Sequence, residues 1–169
     1  ATRPEFVLRA GGADPFDGIN FGKGRGEEGF NPALADLDGD GDLDLVVGEA
    51  TGLLKYYENI GSAQLAQFVA SANPFEGITV AEYSAPRFID LDGDSDLDLV
   101  VGADDGAITF YENKWIGVVA PEFVRRTGDS TFGFVEIDTS YDKESEGMGL
   151  STPTLIDYDG DNDLDVVVG

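Results

Sequence analysis

Histidine and cysteine are both missing from this chain of 169 residues. Without cysteine there is no disulfide, no thiolate nucleophile and no thiolate metal site, and the redox compartment leaves no trace. Without histidine the commonest general base and the commonest nitrogen ligand for metals are gone. Basic residues are scarce as well: 10 Lys and Arg stand against 34 Asp and Glu, for a formal charge of −24. So acidic a surface repels phosphate backbones and anionic headgroups, and no nucleic-acid partner is expected. No apolar run approaches the roughly 20 residues of a membrane-spanning helix, and no membrane insertion is expected. The nucleophile elbow G-x-S-x-G is absent too. Paired carboxylates can hydrolyse glycosides, but every candidate pair here sits in a loop that recurs, whereas a catalytic pair is normally unique. The sequence predicts no enzyme.

What is abundant is aspartate at alternate positions. Asp36-Leu37-Asp38-Gly39-Asp40-Gly41-Asp42-Leu43-Asp44 runs directly into Leu45-Val46-Val47-Gly48. The pattern returns with Asp90, Asp92, Asp94, Asp96 and Asp98 before Leu99-Val100-Val101-Gly102, and again with Asp157, Asp159, Asp161, Asp163 and Asp165 before Val166-Val167-Val168-Gly169. Five carboxylates within nine residues repel one another unless a cation joins them. Hard oxygens with no nitrogen or sulfur nearby favour calcium over zinc or copper. A nine-residue D-x-D-x-D-G-x-x-D loop offers side-chain oxygens from positions 1, 3, 5 and 9 and a carbonyl from position 7. The side-chain ligands are then Asp36, Asp38, Asp40 and Asp44; Asp90, Asp92, Asp94 and Asp98; and Asp157, Asp159, Asp161 and Asp165, with carbonyls from Asp42, Asp96 and Asp163. Position 6 needs a residue tolerant of left-handed backbone, which suits Gly41 and Asn162 better than Ser95. An EF-hand is excluded, because its twelfth position wants Glu and finds Val47, Val101 or Val168. The alternative is an acidic turn that holds no ion; three copies in register argue against it.

Self-comparison extends the repeat well beyond these loops. Gly48 to Asn59 (G-EATG-LLKYYEN) aligns with Gly102 to Asn113 (G-ADDG-AITFYEN), and Asp14-Pro15-Phe16-Asp17-Gly18-Ile19 aligns with Asn73-Pro74-Phe75-Glu76-Gly77-Ile78. Short runs rich in Val, Ile, Tyr and Phe, punctuated by Gly and Pro, predict strands. First strands are expected at Ala33–Ala35, Arg87–Ile89 and Thr154–Ile156, and second strands at Leu43–Val47, Leu97–Val101 and Leu164–Val168. Third strands are expected at Leu53–Glu58 and Ala107–Glu112, and fourth strands at Glu5–Arg9, Gln67–Ala70 and Glu122–Arg125. Tyr56, Tyr57, Phe110 and Tyr111 are expected in the core, and Phe16 and Phe75 as anchors of their connections. An all-β fold of four-stranded antiparallel β-propeller blades follows. Residues 1–29 form the end of one blade and a connection, 30–84 and 85–150 complete blades, and 151–169 the first half of another. Two or three blades leave apolar faces uncovered, so part of a larger, possibly seven-bladed propeller or a blade-sharing assembly is expected.

The pattern P-x-x-x-D-x-D-G-D-x-D-L-D-[LV]-V-V-G, then G-x(4)-YEN, resembles FG-GAP/VCBS-type repeats, related to the integrin α-subunit β-propeller. That resemblance implies a propeller with calcium between the first and second strands of a blade. It also implies an extracellular or cell-surface protein of adhesion, with a protein or glycan ligand and neighbouring blades as partners. The alternative is a carbohydrate-binding lectin or a non-catalytic accessory domain of a secreted enzyme. Trp115, the one Trp of the sequence, is expected to pack, with stacking on a sugar ring as its alternative role.

Overall fold

The alternating Gly- and Pro-bounded runs form ten strands in a computed structural model that describes residues 14–16, 19, 30–114, 121–126, 152–156 and 165–168. No helix occurs among the described residues. Strands β1 (Asn31–Ala35), β2 (Asp44–Gly48), β3 (Leu54–Asn59) and β4 (Phe68–Ala70) make one antiparallel sheet in sequential order. Strands β5 (Ala85–Ile89), β6 (Asp98–Gly102), β7 (Ile108–Asn113) and β8 (Phe123–Arg125) make a second of identical topology. Strands β9 (Pro153–Ile156) and β10 (Asp165–Val168) pair as the first two strands did. The expected strands are displaced by only one or two residues: each second strand starts at the last Asp of its loop. Glu5–Arg9 lies outside the described residues.

Register repeats with the sequence. Asp44 stands opposite Ala35, Asp98 opposite Ile89 and Asp165 opposite Ile156. The first strands of successive sheets lie next to one another, β1 by β5 and β5 by β9, with β4 and β8 at the far edges. Such an arrangement is that of propeller blades fanning out from their innermost strands.

The run Leu-Val-Val lacks polar alternation because both faces of the strand are covered. Val46 joins Ala35, Leu37, Leu54 and Tyr56 on one side of the first sheet, where Leu99, Val101 and Tyr111 of the second sheet meet them. Leu45, Val47 and Tyr57 point the other way, toward Ile19, Phe30 and Phe68. Every residue of β2 and β6 is buried.

The connection over 71–84 is partly core. The side chain of Asn73 accepts a hydrogen bond from the Phe75 amide (3.0 Å) and donates one to the Leu54 carbonyl (2.9 Å). A tight turn follows, with Ile78 N–H donating to the Phe75 carbonyl and Gly77 at φ +88°. This geometry drives Phe75 between the two sheets, against Tyr56, Phe88 and Phe123. Burial of that ring is worth about 2–3 kcal/mol. The chain then runs back beside the 49–53 turn, where Ser84 Oγ donates to the Leu53 carbonyl (2.8 Å) and accepts from the Glu49 amide (2.9 Å). A Cβ at Gly48 would collide with the Ser84 carbonyl, which explains that glycine.

Candidate metal centre

Strand direction decides where the Asp loops stand. In each sheet the first strand runs into the loop and the second runs away from it. The loops therefore share one end of the sheets with the β3–β4 and β7–β8 turns, and the inter-sheet connection lies at the other end. A five-residue strand separates the two ends by about 17 Å.

Within each described loop the carboxylates first organise backbone. Asp36 accepts from the amides of Gly39 (2.9 Å) and Gly41 (3.0 Å), and Asp90 accepts from Gly93 (2.8 Å) and Ser95 (3.1 Å). Asp38 and Asp40 take the amides of Asp40 and Asp42; Asp92 and Asp94 take those of Asp94 and Asp96. These successive Asx turns need left-handed backbone at two places. Position 6 holds Gly41 at φ +92° and Ser95 at φ +78°, as expected, so the second loop carries the conformational cost of a non-glycine residue there. Position 4 also has positive φ at Gly39 and Gly93, a requirement that Gly at this place in all three loops signalled.

The ninth position ties each loop to its sheet. Asp44 and Asp98 are 1% and 0% exposed. Asp44 Oδ2 accepts from the Leu37 amide (3.2 Å) and from the Tyr56 hydroxyl (3.0 Å), and Oδ1 accepts from the Asn59 amide (2.8 Å). Asp98 accepts from the Leu91 and Asn113 amides, both at 2.9 Å. Asn59 and Asn113 in turn donate to the carbonyls of Leu43 and Leu97. The asparagine of the repeated Y-E-N is thus part of the loop's support. Its signal in the sequence was a constant spacing from the ninth Asp, 44 to 59 and 98 to 113, and its role needed the cross-strand register.

Carboxylate oxygens of Asp36, Asp38 and Asp40 lie within 4.8 Å of one another, as do those of Asp90, Asp92 and Asp98. Oxygens bound to one calcium at 2.3–2.6 Å are at most about 5 Å apart, so both groups have the right span. Of the expected side-chain ligands, Asp44 stands outside the first group and Asp94 outside the second. Asp96, expected to offer only its carbonyl, has a carboxylate oxygen shut off from solvent without a hydrogen-bond partner among the described residues. Asp157, Asp159, Asp161 and Asp163 lie outside the described residues, as does the side chain of Asp165.

The electrostatics report uncompensated negative charge. Burial raises the Asp38, Asp44 and Asp98 carboxyls above the usual carboxylate range, against the pull of the backbone amides they accept from. Asp96 is pushed up to about 6, by burial first and by the Asp94 charge next. The Tyr56 hydroxyl is raised by burial and by the charge of Asp44. The ion pairs described, Lys55 with Glu49 and Lys114 and Arg126 with Glu112, lie outside both loops.

A family model for the FG-GAP-like repeat matches residues 36–101 and again 90–168. The chain belongs to the FG-GAP-like repeat family. Each match starts at the first Asp of a loop and runs into the next repeat, so the aspartates and the strands behind them carry the likeness. No curated protein matches the chain. An FG-GAP-like repeat with two four-stranded antiparallel sheets is a β-propeller-type module.

The donor set of each described loop suits a hard divalent cation. It offers oxygen alone, those oxygens converge, and in the second loop one buried oxygen is left without a hydrogen-bond partner among the described residues. In the first loop Asp36, Asp38 and Asp40 would hold calcium; in the second, Asp90, Asp92 and Asp98 would. Bound there, the ion would supply positive charge and crosslink the loop.

Proposed function

We propose that this chain is a calcium-stabilised, extracellular β-propeller module of structural and adhesive function, with a protein or glycan ligand on the exterior and no catalytic activity. One observation supports calcium above all. Two loops 54 residues apart repeat the same carboxylate-to-amide bonds and gather their oxygens while burial pushes several of those carboxyls upward. A divalent ion relieves that strain and pins each first strand to its second. Extracellular modules of this type hold calcium at ~10⁻⁴–10⁻³ M, which millimolar calcium outside cells satisfies; that supports an exterior location. Because the loops lie a strand's length from the connections, the ion serves the scaffold and the opposite rim is left to meet the ligand.

Thermal melts in calcium and in chelator test this. At about 2 mM free calcium each filled site adds roughly 0.6–1.8 kcal/mol, so the midpoint rises by several degrees and falls back on chelation. Identical melts would refute the proposal. The second reading, a lectin or accessory domain, rests on Trp115, which lies outside the described residues; a glycan array with quenching of its fluorescence separates it from a protein-binding role.

A further inference from the structure

The two described loops are not equivalent, and one residue outside them makes the difference. Tyr56 stands opposite Val46 in the first sheet, and Phe110 stands opposite Val100 in the second. These are the same place in successive repeats. The phenol of Tyr56 reaches down to Asp44 Oδ2 at 3.0 Å, and Phe110 has no hydroxyl to offer Asp98. A carboxylate has about four lone-pair sites. Asp44 has three of them occupied, by Leu37, Tyr56 and Asn59. Among the described residues Asp98 has two occupied, by Leu91 and Asn113, with one left on each oxygen. An independent observation agrees with this inventory. Three carboxylates converge in each loop, but the second group includes the ninth position, Asp98, and leaves out Asp94, whereas the first includes Asp40 and leaves out Asp44.

We infer that Tyr56 sets the calcium affinity of the first loop, holding Asp44 back from the ion, so that the second loop, closed by Asp98, fills at lower calcium. The inference rests on the calcium reading above. Its cause is competition for charge. A hydroxyl donating to a carboxylate forms a charge-assisted bond that stabilises the ion-free loop. A cation bound to the same carboxylate draws on the same electron density, so bond and ion oppose each other, and each weakens the other equally. Ser95 does not reverse the order, because it holds the same left-handed backbone that Gly41 holds at position 6 of the first loop.

The test is a calcium chloride titration of the whole chain, followed by the amide signals of Gly41 and Ser95 in two-dimensional NMR. These amides donate to Asp36 and Asp90 and report on their own loops. Reciprocal coupling of this kind shifts affinity by roughly 5–150-fold, so the Ser95 midpoint is expected at about tenfold lower calcium than the Gly41 midpoint. Tyr56→Phe should lower the Gly41 midpoint about tenfold and leave that of Ser95 in place. Phe110→Tyr should raise the Ser95 midpoint. A loss of stability alone would not move one midpoint without the other. Equal midpoints in the parent protein, or a Tyr56→Phe variant whose Gly41 midpoint stays or rises, would overturn the inference and leave the calcium reading intact. Amides in both loops that ignore calcium would overturn both.

Discussion

Phe16 and Phe75 occupy the same place in successive repeats. Phe16 stacks on Phe68 at 5.4 Å between ring centroids, and Phe75 stacks on Phe123 at 5.1 Å. Both follow an Asx turn, from Asp14 in one case and Asn73 in the other. Yet Phe75 is 2% exposed and Phe16 41%. Phe75 has the second sheet on one side, through Phe88 and Phe123, and the first sheet on the other, through Tyr56. Leu34, at the position equivalent to Phe88, is itself exposed. The connection motif is therefore half of a joint, and its other half is the face of the sheet before it. Local sequence builds the turn; only a neighbouring sheet converts the turn into stability.

The largest expected effect follows from that contrast. Phe75→Ala should cost about 3–5 kcal/mol, since it opens a cavity between two sheets. Phe16→Ala should cost only about 1 kcal/mol, the worth of one aromatic pair. Urea unfolding of both variants in excess calcium measures the pair, and equal losses would show that Phe16 is as deeply engaged as its counterpart.

A second contrast is between the ion-free and ion-filled states, and its size should be smaller. Asp96 rises from 3.8 to about 6 in the fold. A carboxyl that binds its proton more tightly when folded adds stability below about pH 4 and loses it as pH climbs through about 6. Burial raises Asp38, Asp44 and Asp98 in the same direction. In chelator the melting temperature should thus fall between pH 4 and pH 7, the reverse of ordinary acid denaturation. In calcium it should rise over that interval, because the ion needs ionised ligands. Scanning fluorimetry at both conditions decides it, and parallel curves would break the comparison.

The strands were legible in the sequence to within a residue or two because the Asp loops mark where each hairpin turns. So was the burial of Tyr56, Tyr57 and Tyr111, which follows from their place beside a Leu-Val-Val strand. Two features were not legible. The bond from Tyr56 to Asp44 joins residues 12 apart across a hairpin, and nothing short of the register shows that the hydroxyl reaches it. The double role of Asp44 and Asp98, acidic yet buried and bonded to backbone amides, is likewise hidden in a list of like aspartates. Sequence alone counts carboxylates, and it cannot say which of them are already occupied.

The central claim is that the two described Asp loops capture calcium, and anomalous diffraction from crystals grown in calcium tests it most directly. The account predicts an anomalous peak in each loop, with carboxylate oxygens of Asp36, Asp38 and Asp40 in one and of Asp90, Asp92 and Asp98 in the other at about 2.3–2.6 Å. Well-ordered loops with no peak at either place would contradict it.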